Sequence, residues 1–207
     1  MGGQSENTTK VDTCLTINQN DVITDHFWIW RADHGKHVGF SKNYGRLGCV
    51  INGQRIISHA LMIEHFCEYQ LMWNGEDGKV IFYQSETPYD IPDQSNWLRY
   101  DEGYTGEQAF GYPSYKIDDG VVNHKSYGVG IYYINTMTTY KIAYTGLETP
   151  CNDDIYLKHI STRYFGGNGR FMHCINGEDG VDDDPEDYNM TIELFDKETY
   201  PELFQSK

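Results

Sequence analysis

No stretch of this 207-residue sequence approaches the ~20 consecutive apolar residues that cross a bilayer, and its polar start, MGGQSENTTK, has no signal-peptide core. No membrane span is expected, and export would need a signal outside this chain. Basic residues are scarce: 16 Lys and Arg stand against 31 Asp and Glu, a formal net charge of −15. That field repels phosphate backbones and anionic lipid, which excludes nucleic acid as an expected partner. A neutral polysaccharide, held by stacking and hydrogen bonds, remains compatible with it.

The five cysteines, Cys14, Cys49, Cys67, Cys151 and Cys174, have no CxxC spacing, and the eight histidines include no HExxH pair. Neither a zinc site nor hydrolysis by a bound metal is expected. An odd count leaves at least one thiol unpaired unless it bonds to another chain. There is no glycine-rich phosphate loop leading into a helix and no G-x-S-x-G elbow, so nucleotide binding is not expected.

Against these absences stand 17 Tyr and 21 Gly, with only six Pro and repeated Asn-Gly pairs, a composition of short strands and tight turns. Helical periodicity is poor. A turn followed by a short apolar or alternating run recurs over residues 20–30, 52–66, 74–85, 118–134 and 167–175, and Asn-Gly-Glu-Asp-Gly occurs at both 74–78 and 176–180. Such units suit a solenoid of stacked rungs, a parallel β-helix, while an antiparallel β-sandwich is the competing architecture. One domain spanning 1–207 is expected, with 1–12 a polar N-terminal extension and 181–207 an acidic, polar segment capping or packing on it. Asp182, Asp183 and Asp184 lack the spacing and glycine of a calcium loop and read as a solvated charge run. Two sequons, Asn7-Thr8-Thr9 and Asn189-Met190-Thr191, are compatible with secretion.

The chemically richest stretch is IEHFCEYQLMWNGEDGKVIFYQSETPYD, residues 63–90. It sets Glu64 and Glu86 among aromatic and amide side chains, and two carboxylates in such company point to sugar chemistry. One carboxylic acid protonates a glycosidic oxygen, a second polar group handles water or the anomeric carbon, and aromatic faces hold the rings. Glu86 ends an apolar strand just before Pro88, a natural rim position. Tyr83, Tyr89 and Trp73 are the aromatic residues near it in sequence that could desolvate a general acid. The spacing equally fits a glutamate that accepts a hydrogen bond from a turn. Glu64 beside His65 reads first as a solvent-facing pair. Trp28 and Trp30 alternate with Phe27 and Ile29, which puts the two tryptophans on one side of a strand, as a sugar platform or, the plainer expectation, as core. Arg31, Asp33, His34 and His37 follow and offer hydrogen bonds to sugar hydroxyls or to a loop.

The strings DHFWIWRADHG at 25–35, IEHFCEYQLMWNG at 63–75, FYQSETPYD at 82–90 and SYGVGIYY at 126–133 together resemble glycoside hydrolase family 55, in its bacterial laminarinase-like branch. The resemblance runs over about residues 13–180. It implies a secreted, exo-acting, inverting β-1,3-glucanase built from two right-handed, pectate-lyase-like parallel β-helices with the active site between them. By that resemblance Glu86 matches the general acid and Glu64 a second glutamate that orders the acid or the water. Trp30 and Tyr89 line the sugar subsites, with Asp33, His34 and Trp28 near them. No cofactor is implied. The resemblance further implies that the N-terminal β-helix lies outside this chain, so a separate chain could supply it. The alternative is a non-catalytic glucan-binding or wall-associated β-helix protein.

Overall fold

The computed structural model describes residues 9–184 and 188–204. The chain passes alternately through two sheets. The first is formed by β1 (Thr9–Ile17), β3 (Asn43–Ile51), β5 (Leu71–Trp73), β7 (Tyr115–Ile117), β9 (Lys141–Glu148) and β11 (Gly169–Ile175). The second is formed by β2 (Ile23–Trp30), β4 (Ile57–Glu64), β6 (Gly78–Glu86), β8 (Asn123–Asn135) and β10 (Asp154–Gly167). Each strand pairs in parallel with the strand two further along the chain, so every pass stacks on the one before. The antiparallel sandwich is thereby ruled out, and β2, β4 and β6 stack as neighbours. At the far edge β13 (Asn189–Phe195) alone reverses direction, lying between β10 and β12 (Val181–Asp184) and pairing antiparallel with both. Phe195 there packs against Tyr200 and Phe204. The side chains of Asp182, Asp183 and Asp184, and the sequon residue Asn7, lie outside the described residues; β1 begins at Thr9, inside the stretch 1–12.

The Asn-Gly turns stack as well. Asn52 donates to Asn18 and Asn74 donates to Asn52, each at 2.7 Å, so amide side chains form a ladder up one corner. A Cβ on Gly75 would stand 1.8 Å from the carbonyl oxygen of Gly53, which is why this corner takes glycine. Inside, Ile51, Leu71, Trp73, Tyr83, Tyr115, Ile131, Tyr133 and Leu147 are fully buried, each worth about 1.5–3 kcal/mol of transfer free energy for an aliphatic side chain and more for the larger rings. None of the five cysteines is joined in a disulfide.

A second corner is hidden within the long strands. His26, Ala60, Phe82, Gly128 and His159 occupy the same register position in five neighbouring strands, and all have φ between 50° and 67°. One left-handed residue per strand shifts the in-out alternation by one. In β4, Ser58 faces inward, and strict alternation would turn Met62 and Glu64 inward too; beyond Ala60 it is Leu61 and Ile63 that are buried, while Glu64 faces out. No helix among the described residues is long and apolar enough to cross a membrane.

Candidate active site

Beyond the left-handed corner, the outward positions of the second sheet line up across the strands. One row runs Trp30, Glu64, Glu86, Tyr132, Arg163, and the row before it Trp28, Met62, Gln84, Gly130, Ser161. Glu64 and Glu86 are therefore register partners on adjacent strands, rising side by side from one face.

Donors hold both carboxylates. The Trp28 indole Nε1 donates to Glu64 Oε2 at 2.8 Å, and the Tyr89 hydroxyl donates to Glu86 Oε2. Gln84 reaches Glu86 Oε1 only at 3.4 Å, leaving that oxygen the less engaged of the two. His65 lies beneath them: Nδ1 donates to the Thr87 carbonyl at 3.1 Å, and Nε2 faces Glu86 at 3.7 Å and Asp33 at 3.8 Å. Its ring meets that of Tyr89 edge to face at 4.3 Å between centroids. Burial, and then the hydrogen bond to Glu86, push the Tyr89 phenol above its ordinary pKa, so it stays a donor.

Trp28 and Trp30 stand 5.9 Å apart, and Trp30 lies 5.8 Å from the His34 ring, which in turn meets Asp33 at 2.8 Å. The tryptophans are 64% and 37% exposed, so the reading of this pair as core is overturned. The reason is positional: the left-handed His26 turns them outward, and Ile29 takes the inward place. Phe27 takes an inward register position too, but on the edge strand it stays 40% exposed. Glu64 is only 8% exposed and His65 is buried, so they are not a solvent-facing pair either. Tyr83 and Trp73, expected as aromatic company for Glu86, are interior side chains.

The loop after β2 is held by Arg31, fully buried, which donates to the His65 carbonyl and meets Asp90 at 2.5 Å. That side chain ties the segments bearing Asp33, His65 and Tyr89 into one unit. Sequence reasoning left Arg31 between sugar hydroxyls and a loop, and its burial assigns it to the loop; Gln84 and His65 were overlooked as members of the cluster. Gln84 was within reach, being two residues before Glu86 on the same face. His65 has φ of 68°, a turn that spacing does not reveal.

Ligand atoms of Glu64, His65 and Glu86 lie within 4.8 Å of one another, a separation a metal ion could bridge. The Trp28 N–H and the Tyr89 O–H already donate to one oxygen of each carboxylate.

The frame that carries these paired carboxylates and exposed aromatic rings is all-β, with parallel sheets of the pectate-lyase-like kind. Comparison with known proteins agrees: the model of the LAM55 pectate lyase-like domain matches residues 1–86. An exo-β-1,3-glucanase of Streptomyces sp. (strain SirexAA-E / ActE) is 37% identical over 168 residues, which is 81% of this chain and 26% of that protein. The structure of sacteLam55A from Streptomyces sp. SirexAA-E superposes with a TM-score of 0.81 at 33% identity, over 90% of this chain and 33% of that one. A glutamate-to-alanine variant of sacteLam55A in complex with glucose gives a TM-score of 0.80 at 31% identity, over 91% and 33%. The chain is thus related to the laminarinase-like branch of glycoside hydrolase family 55, as its motifs indicated. It spans about a quarter to a third of the length of these relatives.

Proposed function

We propose that this chain carries the acid-bearing side of a β-1,3-glucan hydrolase site, with Glu86 as general acid. The observation that carries the reading is the row Trp30, Glu64, Glu86 with Tyr89 donating to Glu86 Oε2. With Oε2 committed as acceptor, Oε1 is the oxygen that holds the proton and delivers it to the departing glycosidic oxygen. Trp30 and Tyr89 border the terminal glucose, Trp28 secures Glu64, and Asp33 with His34 offers further polar contacts. No cofactor enters this chemistry.

Glu64 orders the acid rather than serving as base. An inverting acid and base stand ~6.5–9.5 Å apart, straddling sugar and water. Glu64 and Glu86 offer oxygens within 4.8 Å and rise from one face, so they meet a sugar from the same side. An inverting reaction, the mode that the family resemblance implies, would take its base from another group, such as one on a separate chain supplying the N-terminal β-helix. Chain 1–207 is read as one domain, a right-handed parallel β-helix; the pectate lyase-like match and the strong right-handed bias of parallel connections support this hand. Working on an external polymer, the protein would act outside the cell.

The test is release of reducing sugar from laminarin by this chain, alone and with a candidate N-terminal half, beside Glu86→Gln. Hydrolysis lost on substitution supports the acid assignment, and hydrolysis retained at the wild-type rate ends it. Binding of laminarin without turnover in any combination would favour the glucan-binding alternative.

A further inference from the structure

We propose that Tyr132 and Phe165 form a second sugar platform, on the side of Glu86 opposite Trp28 and Trp30, that takes the leaving-side glucosyl unit of a β-1,3-glucan. This deepens the reading above and rests on it.

Three separate features point there. First, Tyr132 is the direct register partner of Glu86 on the next strand, so its Cα lies ~4.8 Å further along the row, about one sugar ring past the acid. Second, the Tyr132 ring lies down over Gly130: a Cβ at Gly130 would stand 2.8 Å from the Tyr132 hydroxyl oxygen. The missing side chain is what lets the ring rest on the sheet instead of standing away from it. Third, the pairing of β10 with β8 slips between Tyr164 and Gly166, leaving Phe165 as the extra, unpaired residue of a β-bulge. A bulge re-aims a side chain, and this one turns Phe165 outward, 63% exposed, with its ring 4.9 Å from that of Tyr132. A phenylalanine held outward by a backbone irregularity gains nothing in the core.

The next residue of the row does not extend the platform. Arg163 is turned to β13, donating to the Met190 carbonyl at 3.0 Å and to Thr191 Oγ1 at 2.7 Å. Among the described residues of these strands the aromatic surface therefore runs from Tyr132 to Phe165, enough for one or two sugar units. Stacking on a ring face is worth ~1 kcal/mol beyond area, so each ring should matter about fivefold to tenfold in affinity.

Calorimetric titration of the chain with glucose, laminaribiose and laminarihexaose separates the possibilities. Trp30→Ala should weaken all three ligands. Phe165→Ala and Tyr132→Leu should leave glucose unchanged and weaken laminarihexaose about tenfold, with melting temperature and circular dichroism as for wild type. If wild type binds the hexaose and both variants bind it as tightly, the platform is refuted while the hydrolase reading stands. Binding of none of these ligands by wild type would overturn the reading itself, and the platform with it.

Discussion

Two charged clusters sit on this frame, and they differ in balance. The first is the row of Glu64 and Glu86 with Asp33 and His65. The second lies on the other sheet, under the loop 87–114: Arg99 stacks at 3.6 Å on Tyr104 and meets Glu148 at 2.7 Å, Lys116 donates to the same carboxylate, and Tyr104 donates to it at 2.6 Å. Tyr69 links Arg99 to Glu102. In this second cluster cations match carboxylates and the donors converge on Glu148. Burial raises the Glu148 pKa, but Arg99 and Lys116 outweigh it and hold the carboxyl below its ordinary value. The first cluster sets three carboxylates around one histidine and leaves Glu86 Oε1 weakly engaged. A balanced, closed network pins a loop; an excess of carboxylate with an open oxygen is what proton transfer needs.

The sharpest way to break that contrast is to neutralise one carboxylate in each cluster. Glu86→Gln should lower laminarin hydrolysis by about 10²–10⁴-fold while the melting temperature holds or rises, since it relieves crowding of like charge. Glu148→Gln should leave laminarihexaose binding intact and destabilise the fold by about 3–5 kcal/mol, because Arg99 and Lys116 lose their counter-charge in a buried place. A thermal melt should read this as a fall of roughly 10 °C or more. Equal stability of the two variants would erase the distinction.

A third measurement uses the buried His124, whose pKa burial lowers to about 3. Its Nε2 meets the Tyr115 hydroxyl at 2.5 Å and Ser126 at 3.1 Å. The unfolded chain takes up this proton near pH 6.5 and the folded chain only near 3, so the stabilisation is complete above about 6.5 and is lost progressively as pH falls toward 3. Melts between pH 7 and 4 should show the decline, at up to ~1.4 kcal/mol per pH unit from this group, and His124→Gln should flatten it. The smallest effect is expected at the platform: Trp30→Ala should cost about 1–2 kcal/mol of glucan binding with no change in the pH course of stability. A loss of stability there instead would make Trp30 structural, like Trp73 and Trp97, which are buried in the interior.

Much of the site was legible in the residue string. Glu86 at a strand end and Tyr89 three residues on stood out in the sequence as candidate site residues, the alternating tryptophans read more plainly as core, and the turn-plus-strand repeat favoured stacked parallel passes. The expected alternation of Trp28 and Trp30 against Phe27 and Ile29 also holds. Which side faced water did not follow, because periodicity defines two faces without naming the inner one.

What the sequence determined by itself was chemistry and repeat: acidic and aromatic content suited to a neutral polymer, strand-forming runs, and Asn-Gly corners that only a close stack requires. What the tertiary structure alone decided was direction. His26, Ala60 and Phe82 are ordinary residues forced into a left-handed conformation that costs ~1–2 kcal/mol each, and no local preference announces them. Stacking of neighbouring strands imposes that corner, and the one-residue shift it introduces is the physical reason Trp30, Glu64 and Glu86 share the outer face of the sheet while Ile29, Ile63 and Ser85 fill the interior.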